Sequence, residues 1–265
     1  MMMKTNEIAS FEELKNRVFG KSNGTICHYT SYESLLMILK NKSFRLSRYD
    51  LMNDRAEKDL SKCVSGDCRY IISFTGTTSE NVAMWALYGK HSSLKLRIEF
   101  SRGSLINSVN DNFYFDPELN NKIPLWGTQT IPNDFSKKNF TLSDVVYYDK
   151  QKNTFRMNGS PLKNIVVSHD YIDQLAGTIK YDAWEYEKES RLAVVLHQNL
   201  SDIDFQNLTH VYAKLNDEFI SKIKITYSPW INDVVFNQLK NSIDSIAGVP
   251  LIHQHSSLQG EITEL

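Results

Sequence analysis

The sequence predicts a mixed α and β domain, and three observations predict it. Segments of strict polar–apolar alternation, of which Leu94-Lys95-Leu96-Arg97-Ile98-Glu99-Phe100 is the clearest, recur between segments of helical spacing. Neither an internal repeat nor a low-complexity linker interrupts them, so residues 1–265 read as one domain. The composition, 41% hydrophobic and 23% charged over 265 residues, is that of a globular chain able to bury a sizeable core.

In chain order, Ser10 with Glu13 three places later has capping-box spacing and predicts a helix to Phe19, and Asn23-Gly24 reads as a turn. Thr25–Thr30 has strand composition. Ser31 caps a helix whose apolar face is Leu35, Leu36, Ile38 and Leu39. Short strands are expected at Phe44–Ser47 and Tyr70–Thr75, with a polar loop from Tyr49 to Glu57 between them. A helix follows over about 79–88, with Gly89 placed to stop it. Residues 104–143 hold Pro117, Pro124 and Pro132 and read as a loop-rich insertion anchored by Trp126. Val145–Asp149 reads as a strand, Asn158-Gly159-Ser160-Pro161 as a turn, and 163–184 as helical apart from Gly177. Strands are expected at His210–Ala213 and Phe219–Tyr227, and a last amphipathic helix over Asn232–Ile246.

A net charge of −1 gives no global nucleic-acid signature, so any basic patch must be local. Cys27, Cys63 and Cys68 are odd in number, lack C-x-x-C spacing and have no histidine pair nearby. They read as reduced thiols, with neither a disulfide framework nor a metal site. The first residues carry no long apolar core, and no apolar run reaches membrane-spanning length. A soluble cytoplasmic protein is expected, with no membrane association.

The segment richest in chemistry is Trp184-Glu185-Tyr186-Glu187-Lys188-Glu189-Ser190-Arg191, which runs into an apolar strand. If that strand begins near Tyr186, Glu187, Glu189 and Arg191 share one face, with successive carboxylates about 7 Å apart. Two such carboxylates repel unless solvent or a cation intervenes; a cleft accounts for them, and so does a solvated edge strand with an ion pair. His28 in an otherwise apolar strand is either a satisfied core residue or a ligand contact. Trp85 and Tyr88, one helical turn apart, are either core or a stacking surface. Phosphate-binding glycine loops, metalloprotease motifs and nucleophile elbows are absent.

The ordered set His28-Tyr29-Thr30-Ser31, Asn53-Asp54 with Glu57, Ile72-Ser73-Phe74, Met84-Trp85 with Tyr88-Gly89, and Trp184 with Glu187, Glu189 and Arg191 resembles a bacterial domain family of unassigned function. That family is similar to the ADP-ribosyltransferases. Some members resemble the messenger-RNA-modifying toxin of phage-defence toxin–antitoxin–chaperone systems. The resemblance spans about 27–227 and implies an α+β, ADP-ribosyltransferase-like split β-sandwich of two small antiparallel sheets flanked by helices, with NAD as substrate in the cleft and no metal. It implies that Glu189 holds the nicotinamide ribose 2′-hydroxyl and that Glu187 orients or deprotonates the acceptor; Glu185-x-Glu187 offers a second register. His28 is implied to bond the adenosine ribose and Ser73 to serve the nicotinamide side. Tyr29, Thr30, Trp85, Tyr88 and Arg191 complete the NAD-binding set.

The function so implied is transfer of ADP-ribose to a macromolecule, RNA above all, by a toxin or anti-phage effector, with an antitoxin protein and a chaperone as partners. An NAD glycohydrolase or a non-catalytic nucleotide- or partner-binding module are the alternatives. The lysines Lys137, Lys138, Lys150 and Lys152, with Arg156, are candidates for holding an RNA backbone, and Trp126 and Tyr148 for stacking on bases.

Overall fold

The structure is a computed structural model that describes residues 11–21, 23–52, 67–88, 94–109, 113–115, 140–152, 154–157, 160–162, 175, 177–197 and 209–262. Local sequence chemistry sets most element boundaries. Helix α1 is Phe11–Phe19, with Glu13 and Arg17 paired at 2.6 Å one turn apart. Gly24 (φ +107°) turns the chain into strand β1, Thr25–Ser31. The Ser31 hydroxyl accepts from the Ser34 N–H and starts α2, Tyr32–Asn41, which ends at Lys42 in the left-handed region. Strand β2, Ser43–Arg48, leads into a short 3-10 turn, Tyr49–Leu51, and β3 is Asp67–Thr75. Asn81 caps α3, Val82–Leu87, through the Ala83 N–H. Then come β4 (Lys95–Ser101), α4 (Arg102–Val109), β5 (Phe113–Phe115), β6 (Phe140–Asp144), β7 (Val146–Asp149), β8 (Thr154–Met157), β9 (Ser160–Leu162) and β10 (Ile179–Tyr181). A 3-10 segment, Asp182–Glu187, precedes β11 (Glu189–His197). The chain continues through β12 (His210–Lys214), α5 (Asp217–Ser221), β13 (Lys224–Tyr227), α6 (Asp233–Ala247) and β14 (Ile252–Gln254). No described helix is long and apolar enough to cross a membrane.

The fold is α+β, with two sheets that are antiparallel apart from β13/β14 and β10/β7. The sheets are unequal rather than both small. One has ten strands, ordered β14-β13-β4-β1-β3-β2-β12-β5, with β11 and β6 layered on beside β3; the other is β10-β7-β8-β9. The larger sheet buries one face under α2 and α6, with Phe44, Phe74, Phe100 and Phe219 at its centre and Leu35, Leu39, Leu239 and Ile243 from the helices. A second core joins the small sheet to α1 through Leu14, Val18, Val146, Phe155 and Ile179.

The feature that positions the site is a parting of strands. One edge of β3 pairs along its whole length with β11, from Glu189↔Thr75 to His197↔Asp67. The other edge is shared: β1 meets it at Cys27↔Thr75, and β2 at Ser47↔Ile71 and Arg48↔Tyr70. Between those points, at Ile72-Ser73-Phe74, β1 and β2 have both moved away from β3.

Several stretches differ from their sequence pattern. Residues 104–143 read as a loop-rich insertion, yet α4 runs on to Val109, and β5 and most of β6 lie within it. Asn158-Gly159-Ser160-Pro161 reads as a turn, yet Ser160 and Pro161 open β9. The alternation over 219–227 predicts one strand, but Asn216 accepts from the Phe219 N–H and starts α5, so only Lys224–Tyr227 is strand. Burial of Phe219, Ile220 and Ile223 satisfies the same apolar residues from a helical turn. Within 163–184, Ile179–Tyr181 is strand and Asp182 onward is 3-10; residues 163–174 lie outside the described residues.

Candidate functional site

A cavity of about 240 Å³ opens where β1 and β2 part. Directly paired residues project from the same face of a sheet. The registers therefore place Cys27 and Tyr29 of β1, Arg45 and Ser47 of β2, Ile71, Ser73 and Thr75 of β3, and Glu189 and Arg191 of β11 on one face. The cavity floor is Ile71–Thr75, its walls are β1 and β2, and Met52, Met84 and Tyr88 rise around it. Lys180, Glu187 and Glu189 close one end.

Those three residues form a buried charge cluster. Glu187 is 2% exposed, Glu189 4% and Lys180 8%. The Lys180 ammonium donates to Glu187 Oε2 at 2.6 Å and to Glu189 Oε2 at 3.2 Å. Arg191, fully buried, grips Glu189 with two bonds, Nε to Oε1 at 2.7 Å and a terminal nitrogen to Oε2 at 3.0 Å. Its remaining nitrogen donates to the Gly177 carbonyl at 2.8 Å. Gly177 sits at φ +78°, a backbone conformation that strains a residue with a side chain. The Ser73 hydroxyl also donates to Glu189. Burial alone would raise the Glu189 pKa, but Arg191, then Lys180, hold it down at about 2. Burial likewise works against the Lys180 ammonium, and Glu189 and Glu187 keep its pKa above the ordinary lysine value.

The two glutamates do not meet by strand alternation. Glu187 ends the 3-10 segment, Lys188 takes the left-handed conformation (φ 44°), and β11 begins only at Glu189. The left-handed residue folds Glu187 back beside Glu189, and the Gly76 N–H fixes it by donating to the Lys188 carbonyl at 2.6 Å. The cation that relieves their repulsion comes from the small sheet. Lys180 lies on β10 opposite Tyr147 of β7, whose hydroxyl accepts from the Glu189 N–H at 2.8 Å. Glu185 turns away to Arg156 at 3.3 Å, which leaves the Glu187-x-Glu189 register at the cavity.

Tyr88 donates to Glu187 Oε1 at 2.5 Å. Its helix is anchored from behind: Glu80 accepts from the Trp85 indole at 3.0 Å and from the Ser257 N–H at 2.7 Å. Trp85 is fully buried, packs edge-on against Tyr29 with ring centroids 4.8 Å apart, and takes no part in the cavity lining. Tyr29 lines the cavity while packing on Trp85; Thr30 and Arg191 lie outside the lining.

His28 points to the opposite face from Tyr29, between Phe44 and Phe74, and reaches into the parted strands from the core side. Its Nδ1 is 2.9 Å from the Ser73 carbonyl oxygen. A carbonyl only accepts, so Nδ1 carries the proton. Burial lowers the His28 pKa below 6.5 against the pull of that bond, so the ring is neutral and Nε2 is an acceptor. Nε2 has no partner among the described residues.

Asn53, Asp54, Glu57, Gly89, Trp126, Lys137 and Lys138 lie outside the described residues. Of the other basic candidates, Arg156 is paired with Glu185, Lys152 with Asp149 at 3.3 Å, and Tyr148 packs on Phe155. Residue patterns passed over Lys180, Arg45 and Ser47. The one signal for Lys180 was the need for a cation between two carboxylates, which says nothing of where in the chain it comes from.

No curated protein and no solved structure matches the chain. A family model described as a protein of unknown function (DUF2971) matches residues 84–192, a segment that runs from α3 to β11 and carries Tyr88, Lys180, Glu187, Glu189 and Arg191 but neither cavity wall formed by β1 and β2.

Proposed function

We propose that the cavity takes NAD and that the protein transfers its ADP-ribose to a macromolecular acceptor, RNA foremost. The observation that carries this reading is the Glu187–Lys180–Glu189 cluster at one end of a cavity whose other contacts include a neutral, acceptor-bearing His28. At about 240 Å³ the cavity is smaller than most ligand pockets, which run about 300–1,000 Å³. It accommodates the nicotinamide riboside end, with the remainder of the dinucleotide lying along the parted strands.

Breaking the glycosidic bond sends its electron pair to the nicotinamide nitrogen and leaves a cationic ribose. A carboxylate bonded to the 2′-hydroxyl stabilises that charge, and does so more strongly in a site poor in water. Glu189 is held ionised for this role by Arg191 and Lys180, and the ribose hydroxyl takes the place of the Ser73 hydroxyl on it. The acceptor oxygen or nitrogen then attacks the ribose carbon, and its proton passes to Glu187, which Tyr88 and Lys180 orient.

The test is incubation with NAD labelled in its ADP-ribose portion and a panel of RNA, DNA and cell protein. Glu189→Gln is expected to lower nicotinamide release by roughly a hundredfold or more. Near wild-type release by the folded variant overturns the reading. Release without label on any macromolecule moves the assignment to an NAD hydrolase.

A further inference from the structure

The carboxylate cluster is charge-compensated, and the opposite wall is not. Among the described lining residues, Lys180 is matched by Glu187 and Glu189, whereas Arg45 on β2 has no carboxylate and no hydrogen-bond acceptor. Arg45 is exposed and lines the cavity. β2 leaves β3 after the Ser47↔Ile71 pair, so Arg45, two residues earlier on the same face, stands across the gap from Ser73. Ser47 shares that face, also lines the cavity, and its hydroxyl has no partner among the described residues. A guanidinium and a hydroxyl about 7 Å apart along one strand face an open gap. Two strand spacings of about 4.8 Å and two residue rises put the Arg45 backbone at least roughly 12 Å from that of Glu189, and the parting of β2 from β3 adds to that. A ligand that spans both offers an anionic group to Arg45 at one end and a hydrogen-bond donor to Glu189 at the other.

We propose that Arg45, with Ser47 beside it, is the phosphate-binding element of this cavity and selects a ligand carrying a diphosphate. Arg45 binds the diphosphate oxygens through its planar fork, which matches phosphate geometry better than a lysine does. The proposal rests on the nucleotide reading of the site, but its test separates the two.

The full chain and its Arg45→Gln, Arg45→Lys and Ser47→Ala variants are titrated calorimetrically with ADP-ribose, ADP, adenosine, inorganic pyrophosphate and a single-stranded oligoribonucleotide. Arg45→Gln is expected to weaken ADP and ADP-ribose by roughly ten- to a hundredfold, the loss of a charged hydrogen-bonding partner. Adenosine binding stays unchanged, Arg45→Lys recovers part of the loss, and raised salt weakens ADP in the wild type more than in Arg45→Gln. Pyrophosphate binding that depends on Arg45 but is weaker than that of ADP supports a nucleotide diphosphate over free phosphate. Equal affinities for ADP in wild type and Arg45→Gln overturn the proposal. So does an Arg45→Gln variant that loses the oligoribonucleotide but keeps ADP. NAD consumption with an unchanged KM in Arg45→Gln overturns it while leaving the transferase reading intact. Arg45-dependent ADP binding without NAD consumption supports it and removes the transferase reading.

Discussion

Replacing Lys180 by methionine removes the one described cation that touches both Glu187 and Glu189 while keeping the volume of its stem. Glu189 retains Arg191 and Ser73, but Glu187, 2% exposed, is left with only the Tyr88 hydroxyl. Removing one partner of a buried ion pair costs about 3–5 kcal/mol, because the remaining charge is neither paired nor hydrated. At about 2–4 °C per kcal/mol for a chain near this size, the midpoint of thermal unfolding is expected to fall by roughly 10 °C. A Lys180→Met, Glu187→Gln double variant should recover about half of the loss, since a neutral amide is far cheaper to bury than an orphaned carboxylate. The sign of the pH effect follows from Glu189. Its folded pKa, about 2, lies below its ordinary value, so its contribution is present above pH 4.5 and lost as pH falls toward 2. Without Lys180 that folded value rises, and the contribution shrinks. Urea titrations of both proteins between pH 3 and 8 measure the effect. A Lys180→Met variant within about 1 kcal/mol of wild type at pH 7, with no recovery in the double variant, would refute the view that Lys180 neutralises the pair.

Tyr88→Phe removes a charge-assisted bond to Glu187 and should cost about 1–2 kcal/mol in urea unfolding, while lowering NAD consumption more than stability alone explains. If the proposed reading holds, His28→Ala should raise the KM for NAD more than it lowers kcat, because His28 lines the cavity and makes no contact with the Glu187–Lys180–Glu189 cluster; an unchanged KM in a stable variant contradicts that role. Wild-type stability should decline from about pH 4.5 downward as two carboxyls held at about 2 take up protons: Glu189, and Asp244 of α6, which accepts from Lys240 at 2.8 Å and from the Leu251 N–H at 2.9 Å; Glu189 alone accounts for on the order of 3 kcal/mol, measurable as the slope of unfolding free energy against pH.

Local signals were readable wherever one residue or one period decided the structure. Ser31 caps α2 as its side chain allows, and the strict alternation of Leu94–Phe100 puts Leu96, Ile98 and Phe100 into the main core. The candidate carboxylates were readable too, because two acids beside an apolar strand are costly without a purpose. What the sequence hides is pairing. Whether β1 and β2 lie together along β3 or part at Ser73 is a matter of register between strands 20 to 45 residues apart, and no residue in any of them encodes the gap. The same holds for Lys180. Its own stretch reads as helix, and its role appears only when β10 pairs in parallel with β7 and the small sheet is laid against the end of β11. The site is therefore an interface between two sheets, in which β11 and the 3-10 segment before it supply the carboxylates, β10 the ammonium and β3 the floor. A change that left every lining residue in place but shifted the β10–β7 register by one would move Lys180 to the opposite face of its strand, away from both carboxylates. Cluster integrity thus reports the docking of the small sheet, and substitutions in its own core, such as Phe155→Ala on β8 beside β7, should disturb Glu189 from a distance.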